Sequence, residues 1–237
     1  MAATKEIPNL AVQVQEKLKM SRDQATSWIE SLGTPTEVCD IYNQAVRDLY
    51  WLEKGAKSLV IIGQSGISYC LAEADKNEPL NQERALALRA QAKTIAYNLA
   101  ANTWPGWGDE GVTIATADIK AGLQAAHLNL KLAFDLKKPA DKIASAYWLL
   151  SALQLATGQF SESLVAISES DVYAQKTSDK LALAYNEGFR GLILQVSGNH
   201  DGQQVYDSGI SSLKAFSNDE ANGLITQLET AKKIFVK

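Results

Sequence analysis

The sequence contains few of the residues that most often carry catalysis or bind metals, with two histidines and two cysteines among 237 residues. A zinc site normally needs three or four His, Cys or carboxylate ligands at a recognisable spacing, and the sequence offers no such cluster. It also has neither a Walker loop nor a Gly-x-Gly-x-x-Gly turn, the two common phosphate-binding patterns. We therefore expect no metal ligand, no cofactor and no enzymatic activity.

Strong charge and long hydrophobic runs are also missing. The formal net charge is -4, whereas a nucleic-acid-binding protein usually shows a basic patch or stripe. No run of about 18 apolar residues is present, and the N-terminal stretch lacks the basic flank and apolar core of a signal peptide. These absences predict a cytoplasmic protein that binds neither nucleic acid nor membrane.

Cysteine is represented only by Cys39 and Cys70. A long chain with two cysteines has no disulfide framework, and unbonded cysteines are most often small, buried apolar residues. We expect that role for both of them. A redox pair is the alternative, and it requires a fold that brings the two residues together.

One short motif suggests a different class of function. The segment GQSG, residues 63–66, partly matches the Gly-x-Ser-x-Gly turn of hydrolases, with Ser65 at the nucleophile position. The last glycine of that motif is replaced by Ile67, and no strand pattern surrounds it. A patch of small residues where two helices approach closely is the preferred interpretation. A hydrolase using Ser65 is the competing hypothesis.

Helical periodicity extends along almost the whole chain. Between residues 80 and 104, apolar residues recur at intervals of three and four positions, at Leu88, Ala92, Ile95, Ala96 and Leu99. The β-branched run SLVIIG, residues 58–63, fits a buried helix as well as a strand. Residues 116–138 carry two apolar stripes, which predicts a helix covered on two sides, with His127 in the core.

Prolines, glycines and capping residues divide this pattern into about nine to eleven helices. We expect Gly158 and Gly198 at turns, Asp179 at the start of one helix and Asn218 or Asp219 at the start of the last. The predicted hairpins cover residues 5–33, 35–76, 80–138, 139–176 and 179–217, and a capping helix covers 219–237. No linker interrupts them, so we expect a single all-α domain over residues 1–237.

The segment ASAYWLLSALQLATGQFSESLVAISES, residues 144–170, resembles a tetratricopeptide repeat. The matching positions are a large aromatic, small residues on both helices, a turn glycine and apolar residues, namely Tyr147, Leu150, Ser151, Gly158, Phe160, Ser163 and Ile167. In the following unit, Gly191 and Gly198 align with the small residue and the turn glycine. The resemblance implies a right-handed superhelix of antiparallel helical hairpins with a concave groove lined by the first helix of each pair.

Such a groove holds peptides or partner proteins, so the resemblance implies a non-enzymatic binding module with a protein or peptide partner. The carboxylate-clamping subclass is disfavoured, because the clamp positions here are Trp148, Ala152, Gly188 and Leu192. The residues that we expect to contact a ligand or partner are Arg84, Arg89, Tyr97, Trp104, Trp107, Tyr147 and Arg190.

The segment AANTWPGWGDEGVTI, residues 100–114, interrupts the helical pattern with two tryptophans. It is longer than the turn expected within a helical hairpin, and insertions on repeat proteins often carry binding residues. Alternatively, Trp104 and Trp107 fold back and bury their indoles as a packing clasp, which is the preferred interpretation. A small-molecule pocket near the Trp104–Trp107 loop is the alternative to peptide binding.

Overall fold

The computed structural model describes residues 7–236. Within that range the chain forms eleven α-helices and one short 3-10 helix, and its only β-type pairing is an isolated bridge between Gly55 and Thr113. The helices are α1 (Leu10–Met20), α2 (Arg22–Glu30), α3 (Pro35–Glu53), α4 (Lys57–Asn77), α5 (Gln82–Asn102), α6 (Thr116–Asp135), α7 (Ala140–Ala156), α8 (Phe160–Lys176), α9 (Lys180–Val196), α10 (Gly202–Lys214) and α11 (Asp219–Phe235). The 3-10 helix covers Pro105–Trp107 between α5 and α6.

The prediction of an all-α protein built from neighbouring helical pairs is confirmed. Every predicted hairpin corresponds to two consecutive helices, and SLVIIG belongs to α4 rather than to a strand. Asp179 and Asn218 cap α9 and α11, because their side chains accept backbone hydrogen bonds at 2.9 and 2.8 Å. The predicted hairpin start at residue 5 and the predicted chain end at residue 237 lie outside the described residues.

The described chain folds into two compact units. Unit 1 contains the described residues up to 103 together with 111–136, and therefore helices α1 to α6. Unit 2 contains residues 104–110 and the chain from 137 onward, and therefore the 3-10 helix and α7 to α11. A single domain over residues 1–237 stays a prediction.

Unit 1 has its core between α3, α4 and α5. The stripe predicted on α5 is fully buried, since its five apolar residues are at most 1% exposed. Gly66 on α4 faces the ring of Tyr42 on α3, and a Cβ at this glycine would lie 2.7 Å from that ring. The small residues of GQSG therefore allow close helix packing, as the preferred interpretation predicted.

A disulfide between Cys39 on α3 and Cys70 on α4 crosses the same core. Both residues are fully buried, and their Cα atoms lie 5.9 Å apart, within the usual range for a bonded pair. The expectation of two unbonded cysteines was therefore wrong. Antiparallel packing of α3 and α4 brings together two residues that are distant in sequence.

We expect loss of this disulfide to destabilise unit 1 without changing its fold. The double variant Cys39→Ala/Cys70→Ala removes a cross-link whose typical contribution is about 2–4 kcal/mol. Chemical denaturation followed by circular dichroism measures this loss, and alkylation of the denatured, unreduced protein reports the bond directly. Quantitative alkylation of both thiols in the wild-type protein would contradict the assignment.

Helix α6 differs from the prediction of a helix covered on two sides. Its buried stripe includes Ala121, Ala125 and Leu132, which pack within unit 1. The second stripe is more accessible, since His127 is exposed and Phe134 is 41% exposed. The prediction of a core histidine was therefore wrong, because within unit 1 helix α6 packs chiefly on α5 and more sparsely on α4.

Unit 2 begins with the closely packed pair of α7 and α8. Ser151 and Ser163 are fully buried, and each hydroxyl donates to the backbone carbonyl of the other residue at 2.8 Å. The two helices can approach this closely because both side chains are small. Gly158 joins the helices with a φ of +77°, a left-handed conformation that glycine adopts without strain.

The backbones of α9 and α10 also approach each other closely. A Cβ at Gly191 would lie 2.5 Å from the Cα of Tyr206, and a Cβ at Gly209 would lie 2.5 Å from the Cα of Gly188. The small-residue position that the sequence assigned to Gly191 is thus a point where the two backbones touch. Gly198 has a φ of +81° in the turn between the two helices, as expected.

Candidate functional site

Trp104 lies at the centre of an aromatic cluster in unit 2. It is 1% exposed, and its ring centroid lies 4.9 Å from that of Trp107 and 5.5 Å from that of Trp148. The ring centroids of Phe189 and Phe235 lie 6.2 and 6.3 Å from that of Trp104. This environment is a packed core, and it matches the clasp interpretation of the loop for Trp104.

Trp107 occupies a less buried position in the same cluster. Its centroid is 6.2 Å from that of Trp148, and the 3-10 helix that carries it packs on α11. Its partial exposure leaves part of the indole accessible. The two tryptophans of the loop therefore differ in environment, although both belong to the aromatic cluster of unit 2.

Arg89, on α5 in unit 1, is held by neighbouring acids. Its guanidinium donates two hydrogen bonds to the carboxylate of Glu78, at 2.7 and 3.1 Å, and a third to Asp75 at 3.1 Å. Hydrogen bonding to Arg89, together with its charge, lowers the pKa of Glu78. Most donors of Arg89 are thus occupied within the unit.

Arg84 and Tyr97 also lie on α5. Arg84 is exposed, and its backbone N–H is capped by the side chain of Asn81 at 3.0 Å. Tyr97 lies beside Lys93, whose ammonium nitrogen is 5.9 Å from the ring centroid and donates to Asn129 at 3.0 Å. Arg84 and Tyr97 share a helix with Arg89, and their role in binding stays a prediction.

Tyr147 and Arg190 belong to unit 2, where both contact α8. The Tyr147 ring stacks on Tyr173 at a centroid distance of 5.8 Å, and burial raises the pKa of the Tyr147 hydroxyl. Arg190 forms an ion pair with Asp171, which also accepts a hydrogen bond from Asn186 at 2.9 Å. Arg190 therefore joins α9 to α8.

Among the described residues, the Ser65 hydroxyl forms no hydrogen bond with a general base. Its hydroxyl donates to the carbonyl of Ile61 at 2.8 Å and accepts from Nε of Arg22 at 3.1 Å. An activated serine nucleophile needs a general base within hydrogen-bond reach, and neither of these partners is one. The hydroxyl is engaged in supporting a helix and positioning an arginine.

A concave pocket of about 340 Å³ lies between α9 and the end of α10 in unit 2. Leu183, Ala184 and Phe216 form its apolar surface, and Phe216 is 37% exposed. Lys180 and Glu187 stand on either side of Leu183 along α9. Neither of these two side chains forms an ion pair or a side-chain hydrogen bond with any residue that the structure describes.

Sequence reasoning missed this pocket. Lys180, Leu183 and Glu187 follow one another at helical spacing and so share one face of α9. That spacing was the available signal, but a charged residue on a helix is usually part of its solvated face. Phe216 follows the end of α10, and its contribution depends on how the two helices pack.

Two further properties of residues 7–236 bear on function. In this range no group of three or more His, Cys, Asp or Glu side chains is arranged to hold a metal ion. No helix of the same range combines the length and apolar character needed to cross a membrane.

Comparison with models of known protein families gives no match, and comparison with curated protein sequences gives none either. The resemblance to tetratricopeptide repeats therefore rests on residues 144–170 and the unit that follows them, and on no detected relative.

Proposed function

We propose that this protein is a non-enzymatic binding module that captures an extended peptide segment of a partner protein, with the pocket of α9 and α10 as the anchoring site. The observation that carries this proposal is an accessible apolar pocket flanked by a cation and an anion that no described residue neutralises. The pocket lies on the first helix of a hairpin. The resemblance to tetratricopeptide repeats supports this choice, since the ligand groove of such repeats is lined by the first helix of each pair.

The charges of Lys180 and Glu187 define the order and spacing of the charged residues in the peptide. Lys180 and Glu187 are seven residues apart on one helix, which corresponds to about 10 Å along its axis. A peptide in the polyproline II conformation covers this distance in about three residues, and its side chains three positions apart lie on the same face. The matching segment carries an acid opposite Lys180, a base three positions later opposite Glu187, and between them a leucine-sized side chain directed at Phe216.

The test uses two fluorescein-labelled peptides of opposite charge order, containing Glu-Leu-Ser-Lys or Lys-Leu-Ser-Glu. We expect the wild-type protein to bind Glu-Leu-Ser-Lys about tenfold more tightly than Lys-Leu-Ser-Glu, because reversal replaces two attractions with two repulsions. The double variant Lys180→Glu/Glu187→Lys is expected to prefer the opposite order. Fluorescence anisotropy measures all four affinities.

A matched control swaps the charges of two exposed residues elsewhere in unit 2. The variant Glu229→Lys/Lys233→Glu on α11 has the same net charge and leaves the pocket intact, so its preference is expected to remain that of the wild type. Replacing the peptide leucine by serine is expected to weaken binding about tenfold or more, since it removes the apolar anchor. Equal affinity for both orders in every protein would disprove the proposal.

A small-molecule site near the Trp104–Trp107 loop is the second candidate function. The observation that favours it is that the indole N–H groups of Trp104 and Trp148 are buried without an acceptor among the described residues. A ligand oxygen would satisfy these donors. Trp104→Phe removes one donor and keeps an aromatic ring, so a metabolite bound there would be lost from the purified protein while the fold survives. Metabolite mass spectrometry of the purified wild-type and Trp104→Phe proteins shows whether such a metabolite is bound and then lost.

A cytoplasmic location for this protein stays a prediction. The bond between Cys39 and Cys70 weighs against the predicted cytoplasmic location, because disulfides are rare in reducing compartments. Alkylation of free thiols in intact cells distinguishes an oxidising compartment from the cytoplasm. Cys39 and Cys70 that resist alkylation because they are disulfide-bonded would indicate an oxidising compartment, and alkylated Cys39 and Cys70 would indicate the cytoplasm.

A further inference from the structure

A second concave pocket, of about 350 Å³, lies inside unit 1 between α2, α4, α5 and α6. Its apolar floor is formed by buried and partly buried side chains, namely Ile67, Leu99, Ala121, Ala125 and Leu128. Its size falls within the range of small-molecule sites, about 300–1,000 Å³. This pocket contains none of the residues assigned to peptide binding.

The rim of the pocket is polar and contains one cation. Arg22, Gln64, Ser68 and Gln124 line it, and all four residues are exposed. The amide groups of Gln64 and Gln124 have no hydrogen-bond partner among residues 7–236. The pocket therefore combines an apolar interior with donors at its entrance, and its only charged lining residue in the described chain is Arg22.

Arg22 is oriented by the serine of the GQSG segment. Its Nε donates to Ser65 Oγ at 3.1 Å, and the Ser65 hydroxyl is itself fixed by donating to the Ile61 carbonyl at 2.8 Å. This arrangement leaves the two terminal nitrogens of the guanidinium without a hydrogen bond or an ion pair within the described chain. Those nitrogens form the planar pair of donors that binds a carboxylate through two hydrogen bonds.

We propose that this pocket binds a small aliphatic carboxylate, whose carboxylate pairs with Arg22 and whose short chain lies on the floor formed by Ile67 and its neighbours. The guanidinium supplies charge and geometry for the acid group. Burial of the alkyl chain supplies the remaining affinity. Ser65 acts as a positioning residue, because it contacts Arg22 and not the ligand.

The probe is hexanoate, titrated into protein labelled with ¹³C at its methyl groups. We expect saturable shifts of the Ile67 and Leu128 methyl signals, and binding at least about tenfold weaker for hexan-1-ol, which has the chain without the charge. Arg22→Gln is expected to weaken hexanoate binding by a similar factor. Arg47→Gln, which changes an exposed arginine of α3 outside the pocket, is expected to leave the affinity unchanged.

The proposal would be overturned by the absence of hexanoate binding to the wild-type protein, by shifts confined to methyl groups outside the pocket, or by equal affinity of the wild type and Arg22→Gln. Equal binding of hexanoate and hexan-1-ol would show an apolar pocket without selectivity for acids, and would also overturn it. Because the peptide assay uses unit 2, either proposal can fail without the other.

Discussion

Gly191→Ala is expected to lower the free energy of unfolding by about 3 kcal/mol or more, although it adds a single methyl group. The added Cβ would lie 2.5 Å from the Cα of Tyr206 and closer still to its backbone nitrogen. Backbone atoms cannot rotate away as a flexible side chain can, so α9 and α10 must separate. Their separation would disturb packing along the whole helical pair.

The matched control is Gly223→Ala on α11. A Cβ at Gly223 meets no atom within 4 Å, and the residue lies inside a helix, where alanine is favoured over glycine by up to about 1 kcal/mol. The two glycine-to-alanine changes are therefore expected to have opposite signs in urea denaturation. A loss at Gly191 no larger than about 0.5 kcal/mol, the size typical of surface substitutions, would contradict the close approach of the two backbones.

Trp104→Ala is expected to cost about 3–5 kcal/mol, the range observed for large aromatic residues removed from a core. The indole is 1% exposed and lies among four other aromatic rings, so truncation leaves a cavity that those rings cannot fill without rearranging. Thermal and urea unfolding of the purified variant measure the loss. Near-UV circular dichroism reports the change in aromatic packing.

Trp51 provides the matched control, because it is 66% exposed at the end of α3. Trp51→Ala is expected to change stability by no more than about 0.5 kcal/mol. If Trp104→Ala left stability equally unchanged, the packing role of the loop would be wrong. The indole would then be available for recognition, as the binding interpretation of the loop requires.

Much of the helical framework could be predicted from the sequence because it depends on local physics. The stripe from Leu88 to Leu99 is buried as expected, since its residues recur at helical spacing and so share one side of α5. Gly158 and Gly198 mark turns because their left-handed conformation favours glycine. Asp179 and Asn218 mark helix starts because their side chains accept backbone hydrogen bonds.

The errors came from features that depend on which helices are neighbours. Two apolar stripes on α6 predicted two covered faces, but periodicity alone does not show which face has a neighbour, and His127 is exposed. Cys39 and Cys70 lie at almost equal distances from the turn near Gly55. Antiparallel pairing of α3 and α4 therefore places them opposite each other, and this symmetry was a usable signal.

The candidate sites were the least predictable features. Arg89 and Arg190 were predicted as groove residues from their places on the first helices of hairpins, and the structure adds that both form ion pairs with acids of the neighbouring helix or turn. The pocket beside Phe216 required the packing of α9 against α10, and the orientation of Arg22 required a hydrogen bond to a serine 43 positions away. Sequence spacing carries little information about such long-range interactions.

The most direct test of the proposed function is photo-crosslinking of the Glu-Leu-Ser-Lys peptide with its leucine replaced by photo-leucine. Mass spectrometry of the digested complex identifies the residues that the anchor touches. We expect adducts on Leu183 and Phe216, and their loss when unlabelled peptide is added in excess. Adducts confined to unit 1, or adducts that excess peptide does not reduce, would contradict the assignment of the α9–α10 pocket as the peptide site.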